Sequence, residues 1–334
     1  MTASRTGRRI ALARLSGAFL CLLPPTSVGQ QATKLHRVGV LWHAESREGE
    51  GPIFEAFMAG LHERGYVDGR NIALDHRFAA EIPERFGILA AELVALKPDL
   101  LVGVSTFSAV ALKKTGTSIP ILFTEVGDAL GSGLVPSYTV HDRNITGFTT
   151  LSPDISKKRL QLLTEIVPGL RRIGVLYNPN SPSHRAILHE IAEATQALEL
   201  APQLVEAGTP VEIDDAFAQL SRSGIKAALI ASDAMFLRER KRIADSAIAA
   251  GIAETQFTRD GVEAGSLFSY GPNLPDVARQ TSDYIVRILR GTSPGDLPVV
   301  QPTRFELVVN LRTARTLRLT IPPALLLRAD QVIE

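Results

Sequence analysis

The sequence predicts an α/β fold of two lobes, each a parallel sheet flanked by helices, and three observations predict it. Short runs rich in Val, Ile and Leu alternate with longer amphipathic stretches, the pattern of strand–helix–strand units. The segment Arg37-Val38-Gly39-Val40-Leu41-Trp42 recurs as Arg172-Ile173-Gly174-Val175-Leu176-Tyr177, so the unit is present twice. The 334 residues also suit two domains of roughly 150 each, large enough for separate cores.

In the first half, a strand over 38–42 ends in Trp42 and leads through a polar loop into a helix over 51–64. A strand over 72–76 and a helix over 83–96 follow. The run 100–104, Leu-Leu-Val-Gly-Val, is continuously apolar rather than alternating, as expected of a strand buried on both faces. A helix over 108–114 and strands over 121–124 and 145–148 complete this half. The second half repeats the plan: helix 155–167, strand 173–177, helix 182–198, strand 203–206, helix 213–223, strand 227–231, helix 235–250, strand 266–270 and helix 274–290. In each helix the apolar residues recur at three- and four-residue spacing.

The first 29 residues stand apart. Arg5, Arg8, Arg9 and Arg14 precede an apolar run, Leu15 to Leu23, followed by Pro24-Pro25, with Ser27 and Gly29 at the −3 and −1 positions of a cleavage site before Gln30. The run is too short for the roughly 20 residues of a membrane span, so it reads as a secretory signal. Arg8-Arg9 followed by Ile10-Ala11-Leu12 also fits a loose twin-arginine pattern, which leaves two export routes open. Cys21 follows Leu20, where a lipoprotein signal needs a small residue, so no lipid anchor is expected.

Cleavage removes four Arg and no acid and turns a formal net charge of +1 into −3. A mildly acidic chain is not a nucleic-acid binder. Cys21 is the sole cysteine, so the mature chain has no disulfide, thiolate metal site or cysteine nucleophile. No Gly-x-Ser-x-Gly elbow, phosphate-binding loop, dinucleotide fingerprint or His-Glu-x-x-His motif occurs. His184 and His189 are five apart and not on one helical face, so no metal site is expected. These absences point to a binding protein rather than an enzyme, with no cofactor.

In open parallel sheets ligands bind beyond the carboxyl ends of the strands, and that rule selects the candidate contacts. Trp42 with His43, and Tyr177 with Asn178, Ser181 and His184, close the two repeated strands. Ser105 and Thr106 precede a helix and offer hydroxyls and a helix N-terminus to a carboxylate, although the same residues would serve as N-caps alone. Glu125 and Asp128 offer charge to an ammonium group, or are solvated loop acids. Asp233 and Phe236 follow the strand at 227–231, and Glu254 lies at the next strand edge. Trp42, Tyr177 and Phe236 around one cleft favour a flat ligand, an aromatic amino acid or aromatic carboxylate, while as core packing they would say nothing of ligand.

Further stretches carry a resemblance: Gly65-Tyr66-Val67-Asp68-Gly69-Arg70-Asn71-Ile72, Gly127-Asp128 with Gly131-Ser132-Gly133-Leu134-Val135, Asn144-Ile145-Thr146-Gly147, Ser269-Tyr270-Gly271-Pro272-Asn273, and Gln301-Pro302-Thr303-Arg304-Phe305-Glu306 continuing to Leu311. With Arg37 to His43, their order over the whole chain resembles the periplasmic substrate-binding proteins of ABC transporters, in the branch related to tryptophan- and tyrosine-binding components. The resemblance implies a two-lobed type I periplasmic-binding-protein fold hinged by three crossings, at about 148–152, 257–270 and 299–302, with Tyr270 beside one of them. It implies a first lobe of 35–148 plus about 271–299, a second of 149–270, and a segment 300–334 returning across the lobes. It also implies a monomer that delivers a small molecule to ABC permease and ATPase subunits, or one that reports to a membrane sensor kinase or chemoreceptor. Gly147 and Gly271-Pro272 suit hinges, or serve as plain turn punctuation.

Overall fold

The computed structural model describes residues 35–139 and 144–334, and the expected signal over 1–29 lies outside them. The first sheet is formed by β1 (His36–Trp42), β2 (Ile72–Phe78), β3 (Leu100–Val104), β4 (Ile121–Val126) and β5 (Ile145–Thr149), all parallel, in the order β2-β1-β3-β4-β5. Its helices are α1 (Arg47–Glu50), α2 (Pro52–Glu63), α3 (Pro83–Ala95) and α4 (Thr106–Lys114). The chain then enters the second lobe through α5 (Ser152–Ile166).

The second sheet takes β6 (Arg172–Tyr177), β7 (Ala201–Glu206), β8 (Ala227–Ile230), β9 (Ala253–Gln256) and β10 (Phe268–Gly271) in the matching order β7-β6-β8-β9-β10. The repeated segments are β1 and β6, which hold the same place in their sheets. The connecting helices are α6 (His184–Ala197), α7 (Pro210–Arg222), α8 (Ala234–Arg238), α9 (Arg240–Ala250) and α10 (Arg259–Glu263). After β10 the chain forms α11 (Leu274–Leu289), which lies against α2 of the first lobe. The two backbones approach so closely at Gly60 that a Cβ there would sit 2.7 Å from the Arg279 carbonyl oxygen. Thr281 on α11 also meets Thr124 of β4, hydroxyl to hydroxyl, at 2.8 Å. The chain then returns to the second sheet as β11 (Glu306–Asn310), antiparallel to β10, followed by α12 (Leu311–Thr316), α13 (Pro323–Leu326) and β12 (Gln331–Ile333) on the outer edge.

Apolar clusters cover both faces of each sheet. Along β1, Val38, Val40 and Trp42 enter one cluster while Leu41 enters the other, which is why these strands are apolar throughout. In the second sheet β9 escapes that rule. Its four residues, Ala-Glu-Thr-Gln, are all buried, yet only one is apolar, so no hydrophobic run marks the strand.

Several expectations need correction. The stretch 257–270 is not a crossing but lies within the second lobe as α10 and β10, and the crossing is the next segment, between Gly271 and Leu274. The helix expected over 235–250 breaks at Glu239 into α8 and α9, and a one-turn α1, capped by the Ser46 hydroxyl on Gly49 N–H, precedes α2. Gly147 and Gly271 hold ordinary backbone angles, so conformational freedom does not explain them. Close approach does: a Cβ on Gly147 would lie 2.0 Å from the Phe123 carbonyl oxygen, and one on Gly271 would lie 1.9 Å from that of Phe257. The first and third crossings run side by side, tied by Thr149 N–H to the Val300 carbonyl (3.0 Å) and Val300 N–H to the Gly147 carbonyl (2.8 Å).

Candidate ligand-binding site

Strand ends from both lobes converge on one cavity, the kind of place where a small molecule binds. The first lobe contributes His43 after β1, Ser105, Thr106 and Phe107 at the β3–α4 junction, and Glu125 and Gly127 at the end of β4. The second contributes Ile155 of α5, Ser181 before α6, Ser232, Asp233, Ala234 and Leu237 around α8, and Phe257 after β9, while Thr150, Pro272 and Leu274 come from the crossings. Leu237 and Phe257 join the apolar cluster of Val104, Phe148 and Leu274, so second-lobe side chains seal against the first.

Of the fourteen candidate contacts, His43, Ser105, Thr106, Glu125, Ser181 and Asp233 line this cavity together. The others stand elsewhere, most of them one residue or one face away. Trp42 is fully buried among Phe54, Phe57 and Phe78, and its indole N–H donates to His76 Nδ1 at 2.9 Å. Phe236 is core, beside the Leu237 that lines the cavity. Asp128 turns back on its own loop and accepts Leu130 and Gly131 N–H at 3.0 and 2.9 Å. Tyr177 bonds Glu206 near the sheet edge, and Tyr270 stacks on Phe305. Glu254 is buried in the first half of β9, and the residue at the far end of that strand, Phe257, is the one that faces the cavity. Asn178 stands behind Asp233 and donates to its Oδ1 at 3.1 Å, while His184 bonds the backbone at Asn178 and Ser232. Replacing Trp42 with Phe is therefore expected to lower stability by about 1–2 kcal/mol, through the lost hydrogen bond and packing, and to leave ligand affinity unchanged. Urea unfolding beside a ligand titration checks both halves of this expectation.

The electrostatics of the cavity centre on His43, whose Nδ1 lies 2.5 Å from Glu81 Oε1 and whose Nε2 lies 3.1 Å from Glu50 Oε2. Burial disfavours a charged ring, but the two carboxylates outweigh it and hold the imidazole well above its ordinary pKa. Glu50 Oε1 in turn accepts the Ala44 N–H at 2.8 Å. The Glu81 carboxyl is pushed up by burial and by Asp233 and Glu50, against the pull of His43. No sequence motif links these groups, which are up to 38 residues apart in the chain and meet because β1 and β2 are neighbours.

Two residues with strained backbone line the same space, Ser105 (φ 83°) and Glu125 (φ 57°), and a third, Leu151 (φ 53°), follows the lining residue Thr150 at the first crossing. Positive φ costs a non-glycine residue of order 1–3 kcal/mol, and such residues gather at ligand clamps. Glu125 also sits where the β4–β5 register shifts, which turns its side chain off the strand's alternation. Ser105 Oγ, Ser232 Oγ and Glu125 Oε1 are buried at the cavity with no hydrogen-bond partner. Buried polar atoms are nearly always paired, so these three are positioned for a ligand's polar groups. Thr106 Oγ1 is shared differently: it accepts the Gly127 N–H at 3.2 Å and meets Ser183 Oγ of the second lobe at 3.1 Å. Arg238 of α8 likewise reaches across to the Ala80 carbonyl at 3.5 Å and to Glu45 at 4.0 Å.

The sequence pattern of the family described as ABC transporter substrate binding protein matches residues 45–333. The chain belongs to that family. A tyrosine-binding protein of Clostridioides difficile is 28% identical over 269 residues, covering 79% of this chain and 75% of the relative. Among solved structures, a conserved domain protein from Vibrio cholerae is 28% identical with a TM-score of 0.85, covering 90% of this chain and all of that one. The ABC domain from Streptococcus pneumonia in complex with L-Trp is 24% identical with a TM-score of 0.83 over the same shares. This substrate-binding protein thus has the two-lobed type I periplasmic-binding-protein fold. Among its described residues, no helix is long and apolar enough to cross a membrane, and no group of three or more His, Cys, Asp or Glu side chains is arranged to hold a metal ion.

Proposed function

We propose that this protein is the exported receptor of an ABC importer that binds an α-amino acid with an aromatic side chain between its lobes and hands it, chemically unchanged, to a membrane permease. The observation that carries the reading is the composition of the cavity wall. Carboxylates from opposite lobes, Glu125 and Asp233, supply the partner for an ammonium group. The N-terminus of α4, with the free hydroxyl of Ser105 beside it, supplies the partner for a carboxylate. Phe107, Ile155, Leu237, Phe257 and Leu274 provide an apolar enclosure for a ring. The tyrosine-binding relative supports the same ligand class.

The wall also narrows the expectation from sequence. Among the described residues that line the cavity none is Lys or Arg, and the imidazole of His43 is already paired with Glu81 and Glu50, so a carboxylate without an amine finds no free cation there. Closure around ligand, through contacts such as Thr106 to Ser183, would present the shape that a permease recognises. Delivery works from the periplasm as a monomer, after cleavage of the signal over 1–29.

A thermal-shift series on the mature protein tests this. L-tyrosine and L-tryptophan at about 100 times Kd should add about 2.7 kcal/mol of stability. 3-Phenylpropionate, sugars and nucleobases should add none. Stabilisation by the desamino acids and silence from the amino acids would overturn the ligand class.

A further inference from the structure

Four carboxylates and one imidazole are gathered at and behind the cavity: His43, Glu125 and Asp233 line it, and Glu50 and Glu81 stand behind His43. Glu50 and Glu81 approach the two nitrogens of His43 at 3.1 and 2.5 Å, which uses the single positive charge of the group. Asp233, at the N-terminus of α8, spends its Oδ1 on the Met235 N–H (3.0 Å) and on Asn178 (3.1 Å). Glu125 has no such partner. Its Oε1 is buried without a hydrogen bond, it lines the cavity, and the charged groups facing it are His43 past β1, Glu50 of α1 and Asp260 of α10. A carboxyl in this setting is surrounded by more acids than bases and has little water, and both conditions favour its neutral form.

We infer that Glu125 holds a proton in the ligand-free cavity and surrenders it when a ligand's ammonium group arrives, so that each ligand bound releases one proton. The inference rests on the reading above that the ligand carries an ammonium group. On binding, the O–H bond of the Glu125 carboxyl breaks, the proton passes to solvent, and the carboxylate left behind pairs with the ammonium, whose own protons stay in place. Burial pushes the Glu125 carboxyl up to about 8, with Glu50 and Asp260 adding to it and His43 opposing. A raised value means the empty site is protonated below about pH 8 and the occupied site is not. Affinity therefore rises with pH by close to tenfold per unit between about pH 6 and 7.5, and levels off above about pH 8.

The coupling also sharpens selectivity. A ligand without an ammonium group finds a neutral carboxyl and gains nothing by expelling its proton, so its affinity does not rise with pH.

Isothermal titration of the full-length mature protein with L-tyrosine and L-tryptophan, at about pH 7 in buffers of different ionisation enthalpy, counts the protons released. Close to one per ligand is expected from the native protein and none from Glu125→Gln, whose amide matches the carboxyl in shape. A pH series of Kd on the native protein repeats the test without any variant and is expected to give the slope stated above. Binding of either amino acid with no proton released and a flat pH series overturns the proton exchange and leaves the ligand reading standing. Failure of both amino acids to bind overturns the two together.

Discussion

Replacing Arg159 with methionine is expected to cost about 3–5 kcal/mol of stability, the largest loss of any single substitution considered. Arg159 lies on α5 and is fully buried. Its Nη1 donates to the Ile230 carbonyl at 2.7 Å and reaches toward the Thr255 carbonyl at 3.5 Å, and its Nη2 donates to Ser156 Oγ at 3.1 Å. The guanidinium thus satisfies backbone at the ends of β8 and β9, where the central strands of the second sheet run out. Burial draws it down to about 9, still charged at neutral pH, with Glu254 holding it up. Glu254, itself pushed up to about 7 by burial, loses its cationic neighbour when Arg159 goes. Methionine restores most of the volume but no donor, so the carbonyls stay unpaired in a dry interior. Urea unfolding followed by circular dichroism measures the loss. A change below about 1 kcal/mol would show that water reaches these carbonyls and that the arginine is dispensable.

Asp233→Asn is expected to weaken aromatic amino acid binding by roughly 10- to 100-fold, about 1.4–2.8 kcal/mol, and to leave folding nearly intact. The substitution keeps a side-chain oxygen for the cap on Met235 and for Asn178, so the start of α8 is preserved. What disappears is the second lobe's negative charge at the cavity wall, where Asp233 acts on Glu81 of the first lobe. On the proposed reading, in which charge from both lobes meets one ammonium group, the loss should fall on the complex and raise the dissociation rate more than it slows association. Titration calorimetry with stopped-flow fluorescence separates these. An unchanged Kd would assign the ammonium to Glu125 alone.

The repeat at 37–42 and 172–177 carried the architecture because a buried parallel strand needs apolar side chains on both faces, and that requirement is written residue by residue. Strand ends were equally legible, and with them six of the cavity residues. The misses show where that reasoning stops. Trp42 and His43 are neighbours, as are Phe236 and Leu237, and in each pair one member is core and the other faces the cavity. Periodicity locates a strand end or a one-turn helix to within a residue or two, but the rotation that sends one side chain inward is set by what packs against it. At β9 the polar residues left no apolar run to fix where the strand ends, so Glu254 was placed at its edge where Phe257 belongs.

The electrostatic character of the site lay beyond reach of the chain order. Glu50, Glu81 and His43 become one cluster only when β1 and β2 pair, and Asp233 acts on it from the second lobe. Local sequence governs which residues are apolar, where strands begin and end, and therefore the class of fold, since those choices depend on near neighbours. The charge state of a buried acid depends on every group within several ångströms and on the exclusion of water, and both are properties of the folded cavity that no stretch of sequence contains.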